Sequence, residues 1–94
     1  MAEEIEFRYD TQMLIDIDNP TNDIEDQLDE YIRTHFKGDS LLVIADEDAN
    51  GVTTAKLHFH TNEPWNILEY CRSLGEIYDI VVEDMNRQSR GLKG

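Results

Sequence analysis

The order in which hydrophobic periodicity changes along the chain is the feature that most restricts its fold. Residues 5–17 alternate between apolar and polar side chains, which is the pattern of a half-buried strand. Apolar residues then recur at helical spacing from Ile24 to Phe36, and Gly38 is placed to end this first helix. The remaining predicted elements are strands at 40–46, 52–60 and 76–85 and a second helix that begins at Pro64 and closes at Gly75.

Short local signals support these boundaries. Asn50 and Gly51 form the dipeptide typical of a tight hairpin, so the second and third strands are expected to pair antiparallel. Asn22, followed three residues later by Glu25, has the spacing of a capping box at the start of the first helix.

The resulting order, β-α-β-β-α-β, belongs to the α+β class and predicts a ferredoxin-like sandwich. In this fold two helices cover one face of a four-stranded antiparallel sheet, and the first and third strands are central neighbours. At 94 residues the chain is long enough for one core only. We therefore expect a single domain over residues 1–86 and a flexible tail or truncated linker over residues 87–94.

Charge narrows the set of partners. The chain has 21 acidic and 8 basic side chains and a formal net charge of −13. Such a field repels phosphate backbones and anionic lipids, so neither nucleic acid nor a membrane surface is an expected partner. The chain has one cysteine, shows no apolar run of about 20 residues and opens with no targeting leader, which together predict a cytoplasmic protein.

The segment KLHFHTNEPW, residues 56–65, contains the main candidate site. Strand alternation places Leu57 and Phe59 on the helix-covered side and His58 and His60 on the opposite side. The same parity puts Asp10 of the first strand on that side, within reach if the register allows. Two imidazoles and a carboxylate could hold zinc or another divalent metal. Polar side chains on a solvated sheet face are the alternative interpretation.

Four further residues could contact a substrate or orient the metal ligands. Arg8 and Gln12 share the predicted face of Asp10, while Thr61 and Asn62 directly follow the second histidine. Thr61 and Asn62 are also well placed to cap the second helix. No catalytic residue is predicted.

Two aromatic or sulfur-bearing side chains have simpler expected roles. Cys71 lies on the apolar stripe of the second helix and is expected to be inert core. Trp65 is expected to close the edge of the core rather than to line a ligand groove.

Two stretches, GDSLLVIADED (38–48) and AKLHFHTNEPWNILEYCRSLGEIYDIVVEDM (55–85), resemble the middle domain of bacterial dihydroxyacetone-kinase-like proteins, the class that includes fatty acid kinase. The resemblance covers nearly the whole chain, and His-x-His-Thr-Asn-x-Pro is its most specific part. It implies that His58 and His60 belong to a zinc site that a cysteine completes. Here Asp10, in YDTQMLI, stands in the cysteine's place, which favours a wider range of metals than a thiolate does.

The resemblance also implies a larger context for this domain. ATP and magnesium would bind to a separate kinase-L-type domain, and a DegV-type protein would present the fatty acid. The chain shows no Gly-rich phosphate loop, so we do not expect it to transfer phosphate by itself. Its expected role is that of an accessory domain that binds metal, presents substrate or dimerises.

Two other functions stay open at this point. The open face of the sheet could pair with a second copy of the chain, which would make the domain a structural homodimer with the histidines at the subunit interface. An independent regulatory domain that binds a small effector rests on analogy of fold alone.

Overall fold

A computed structural model describes residues 5–94. The strands are β1 (Tyr9–Ile17), β2 (Gly38–Glu47), β3 (Thr53–Thr61) and β4 (Gly75–Asp84), and the helices are α1 (Ile24–His35), α2 (Pro64–Leu74) and a short α3 (Met85–Ser89).

The four strands form one antiparallel sheet in the order β2-β3-β1-β4. The predicted α+β ferredoxin-like arrangement is therefore confirmed, with β1 and β3 as the central pair. We call the side packed against α1 and α2 the helix-covered face and the other side the open face. The buried core lies under the helices and consists of Met13, Ile15, Ile17, Leu28, Ile32, Val43, Ala55, Leu57, Phe59, Ile67 and Cys71.

The first strand is shorter than its alternating pattern predicts. β1 begins at Tyr9, which pairs with Thr61, the last residue of β3. Before that point no β3 backbone is available, and side-chain contacts hold the chain instead: Asn62 accepts from the Arg8 backbone N–H at 2.7 Å and donates to the Glu6 carbonyl at 3.1 Å. Alternation alone cannot show where a strand's partner ends.

The predicted capping box at the start of α1 is wrong. The helix begins at Ile24 after Asp23, and no side chain caps its first turn. The Glu25 carboxylate instead accepts the backbone N–H of Ala45 at 2.9 Å. Ala45 lies on β2, an edge strand with free backbone groups, so the carboxylate is used to satisfy the sheet edge rather than the helix end.

Gly38 does not end α1, as its position in the sequence suggested. The helix stops at His35, and Gly38 is the first residue of β2. A Cβ atom at this glycine would collide with the ring of Phe59 and the carbonyl oxygen of His60. The glycine is therefore used for close approach of two strands.

Two irregularities interrupt the strand pairing. Between Asp39 and Leu42 the register of β2 against β3 shifts at Ser40, which has a φ of 56°. Between Gln12 and Leu14 the register of β1 against β4 shifts opposite Asp79, which has a φ of 50°. Each bulge changes which residues of an edge strand reach the open face.

The C-terminal segment contains a helix that the sequence pattern did not predict. Helix α3 follows β4 directly, and the Asp84 side chain caps it by accepting the Arg87 backbone N–H at 3.1 Å. Within residues 5–94 no helix has both the length and the apolar character needed to cross a membrane.

Candidate metal centre

The open face is organised as four rows of side chains that run across the strands in the order β2, β3, β1, β4. The rows are Asp39, His60, Asp10 and Glu83; then Leu42, His58, Gln12 and Val81; then Ile44, Lys56, Leu14 and Tyr78; and finally Asp46, Thr54, Asp16 and Glu76.

Asp10, His58 and His60 converge at one end of this face. The register pairs Asp10 with His60 directly, and His58 is the next open-face residue along β3. The Nε2 atoms of the two histidines lie 3.0 Å apart. The Asp10 Oδ1 atom lies 3.4 Å from Nε2 of His58 and 3.7 Å from Nε2 of His60. The structure therefore brings together the three residues predicted as ligands.

The spacing of these three atoms fits a tetrahedral metal ion. Two ligands bound at 2.0 to 2.1 Å to such an ion lie about 3.3 Å from each other. The observed separations, 3.0 to 3.7 Å, bracket this value. The side chains of Asp10, His58 and His60 are 20%, 32% and 23% exposed, so a fourth position towards solvent is accessible. Three ligands and one open position are typical of catalytic rather than structural zinc.

Two neighbouring side chains support the three ligands. The Gln12 amide lies 3.4 Å from both oxygens of the Asp10 carboxylate. The Asp39 Oδ1 atom lies 3.5 Å from the Nδ1 atom of His60. A carboxylate on the second ring nitrogen of a ligating histidine fixes the tautomer that leaves Nε2 free for the ion.

Asp39 is the residue that the sequence interpretation missed. Without the bulge at Ser40, the register that pairs Leu42 with His58 would place Ser40 opposite His60. The bulge moves the pairing by one residue and puts Asp39 there instead. The run Gly-Asp-Ser carries the signal for an irregular strand start, but periodicity does not give the direction of the shift.

The other predicted contact residues hold the end of the sheet together. Arg8 Nε donates to Asp84 Oδ2 at 2.9 Å, and the guanidinium lowers the pKa of that carboxyl below its usual value. The Thr61 hydroxyl donates to the Lys37 carbonyl at 3.0 Å and accepts the Glu63 N–H, so it joins β3 to the entry of α2. Together with the Asn62 clamp described above, these contacts give Arg8, Thr61 and Asn62 structural partners away from the three ligands.

Cys71 and Trp65 behave differently from each other. Cys71 is fully buried, as predicted, and burial raises the pKa of its thiol to about 12. Trp65 is 59% exposed and meets Tyr9 edge-on with ring centroids 6.5 Å apart. The prediction that Trp65 closes the core is wrong, because the first turn of α2 projects this side chain past the end of the sheet.

The fold and the cluster of ligands define an α+β domain with a candidate metal centre on its uncovered sheet face. The sequence pattern of the FakA-like middle domain, the middle domain of fatty acid kinase-like proteins, matches residues 6–92. The chain belongs to this family.

Curated relatives extend over nearly the whole chain. Protein YloV of Bacillus subtilis is 37% identical over 87 residues, which are 93% of this chain and 15% of YloV. Uncharacterized proteins of Staphylococcus saprophyticus and Staphylococcus haemolyticus are 33% and 32% identical over 89 residues, which are 95% of this chain and 15% of each relative. The chain thus spans about 15% of the length of these relatives.

Proposed function

We propose that this domain is a metal-binding accessory module of a dihydroxyacetone-kinase-like phosphotransferase of the fatty acid kinase type. The observation that carries the proposal is the convergence of three ligand atoms from Asp10, His58 and His60, all within 4.8 Å of one another, on a partly exposed surface. Zinc is the first candidate, and the carboxylate at position 10 extends the choice to other divalent metals.

The chain's own residues supply the binding and the orientation. The two Nε2 atoms and one Asp10 oxygen would hold the ion, while Asp39 orients the His60 ring and Gln12 orients the carboxylate. A bound divalent ion supplies Lewis-acid binding of a carboxylate or phosphoryl oxygen at its open position. In this proposal the substrate's acyl carboxylate or acyl phosphate approaches from the open face.

The rest of the reaction belongs to other parts of the assembly in this proposal. A kinase-L-type domain binds ATP and magnesium, and a DegV-type protein presents the fatty acid in the cytoplasm. The domain alone is then expected to give no ATP binding by calorimetry at millimolar nucleotide, with or without magnesium. Saturable nucleotide binding would contradict the accessory role.

Zinc titration of four proteins tests the metal site. Wild type should bind one equivalent, and affinity should fall as the pH is lowered because protons compete for the imidazole nitrogens. His58→Ala should weaken binding at least about tenfold, while Asp10→Cys should strengthen it because a thiolate is a softer ligand. His35→Ala is the matched control, since His35 lies on α1 and contacts Tyr31 and Thr34 instead.

The result that rejects the metal site is equally specific. If His58→Ala and His35→Ala bind zinc as tightly as wild type, and Asp10→Cys gains nothing, the three residues do not form a metal site. Inductively coupled plasma analysis of untagged protein would then be expected to show no stoichiometric metal.

A second candidate function is a subunit interface on the open face. Leu42, Ile44 and Val81 are apolar and exposed there, which is unusual for a surface that only meets water. Pairing two copies would also oppose the acidic side chains of the first and last rows, so a homodimer should be favoured by high salt. Light scattering at low and at high salt tests this: a monomeric mass in both removes the interface.

A further inference from the structure

Lys56 is the only Lys or Arg within the four strands of the sheet. It lies on the open face of β3, two residues before His58. Its side chain is exposed, and it forms no ion pair with any carboxylate of residues 5–94. A chain with a net charge of −13 offers many carboxylates, so an unpaired ammonium at this position is a feature in need of a cause.

The immediate surroundings of Lys56 explain why it stays unpaired. Its cross-strand neighbours are Leu14 on β1 and Ile44 on β2, both apolar. Carboxylates occupy the rows at the two ends of the face rather than this row. An ammonium flanked by apolar side chains interacts more strongly with an incoming anion than one fully surrounded by water, because the local polarity is lower.

A shallow hollow of about 240 Å³ opens beside Lys56 on the open face. Gln12, Leu14 and Val81 line it together with Lys56, and the Asp79 carboxylate lies on its β4 side. Repulsion from Asp79 directs an anion towards the opposite end, where Gln12 contacts Asp10 and the candidate metal ligands begin.

The distance from Lys56 to the metal ligands suits an anion shared between them. Residues two apart on a strand are separated by about 6.6 Å, and both side chains rise from the same face. A lysine side chain is long enough to cover that distance, and its ammonium carries three donors that suit phosphate oxygens as a point charge.

We propose that Lys56 and the ion held by Asp10, His58 and His60 together bind a phosphoryl group. This inference rests on the proposed function, because it assigns the substrate group that the ion's open position accepts. Lys56 neutralises charge on phosphoryl oxygens that the ion does not contact. No bond is formed or broken by Lys56 itself.

The test uses the zinc-loaded chain and its Lys56→Gln and Lys93→Gln variants. Acetyl phosphate, ADP and acetate are titrated, and amide NMR shifts give the affinities. Lys56→Gln should weaken acetyl phosphate binding about tenfold, the range of one hydrogen bond to a charged group. Lys93→Gln, which removes the same charge from the C-terminal tail, should leave the affinity unchanged. Comparable weakening for ADP assigns the phosphoryl group to the nucleotide, and its absence assigns it to an acyl phosphate.

Zinc affinity measured on the same proteins separates the two levels of failure. Lys56→Gln should bind zinc as tightly as wild type or more tightly, because a repelling positive charge is removed. If wild type binds no zinc, the proposed metal site and this inference both fail. If zinc binds and Lys56→Gln leaves acetyl phosphate affinity unchanged, the inference alone is wrong. Equal weakening of acetate binding would assign a carboxylate instead and would also overturn it.

Discussion

The two faces of this sheet are built from alternate residues of the same strands, yet they have opposite characters. On β3, Ala55, Leu57 and Phe59 point towards the helices and are buried. Lys56 and His58, which lie between them, point to the open face. One strand thus supplies residues that stabilise the fold and residues that are free to bind. The pleat keeps the two sets apart, so the open-face residues can be exchanged at little cost to the core.

Each face also contains side chains that do not suit its general character. The open face has exposed Leu42 and Ile44, and the helix-covered face has Thr11, which is fully buried. These exceptions give matched pairs of substitutions in which the same chemical change is made on each face. The pairs measure how strictly the separation holds.

The largest expected difference is in thiol labelling. A Leu42→Cys variant carries one cysteine on the open face and Cys71 beneath α2. Burial raises the pKa of the Cys71 thiol to about 12, so it has very little thiolate at pH 8 and is closed to reagent. Because Cys71 reacts only after unfolding, we expect it to be labelled by iodoacetamide at least about a thousandfold more slowly than Cys at position 42.

Mass spectrometry of digested samples measures both rates in one tube. In concentrated urea the two cysteines should react at similar rates, which controls for peptide context. Similar rates without denaturant would show that the core opens readily and that the two faces are not separated.

The next largest difference is in the cost of removing a leucine side chain. Leu57 is 1% exposed and Leu42 is 51% exposed. Leu57→Ala should lower the free energy of unfolding by about 2 to 5 kcal/mol, because it leaves a cavity under the helices. Leu42→Ala should change it by less than about 0.5 kcal/mol, as is usual for surface substitutions.

Urea unfolding monitored by Trp65 fluorescence gives both values from one signal. Equal losses from the two variants would mean that the open face is covered in solution, for example by a second copy of the chain. That outcome would favour the interface function over the metal-binding one.

Much of the fold follows from the sequence because one face of each central strand is buried. A shift of one residue in β1 or β3 would turn Met13 or Leu57 to solvent, so the alternating pattern determines parity. The turn at Gly51, with a φ of 82°, was also predictable, since an Asn-Gly pair suits a positive φ. Parity alone was sufficient to place Asp10 with His58 and His60.

The features that the sequence did not predict depend on edge strands and on local competition for backbone groups. Ser40 and Asp79 adopt positive φ values on edge strands, where a bulge is tolerated because one side has no partner. The bulge at Ser40 is what brings Asp39 to His60. Glu25 was assigned to its own helix, whereas the free N–H of Ala45 is a competing donor that only the assembled sheet reveals.

The smallest expected difference, and one that changes sign between the faces, comes from replacing threonine by valine. Within residues 5–94, the Thr11 hydroxyl is the one buried side-chain oxygen or nitrogen without a hydrogen-bond partner. On the open face the Thr54 hydroxyl donates to Asp16 Oδ1 at 2.9 Å. Thr11→Val should raise the free energy of unfolding by about 1 kcal/mol, because an unpaired buried hydroxyl is replaced by a methyl group of the same shape. Thr54→Val should lower it by about 0.5 to 1 kcal/mol through loss of the hydrogen bond. Urea unfolding at pH 7 measures both, and a loss of stability in Thr11→Val would show that its hydroxyl does have a partner in solution, such as a buried water molecule.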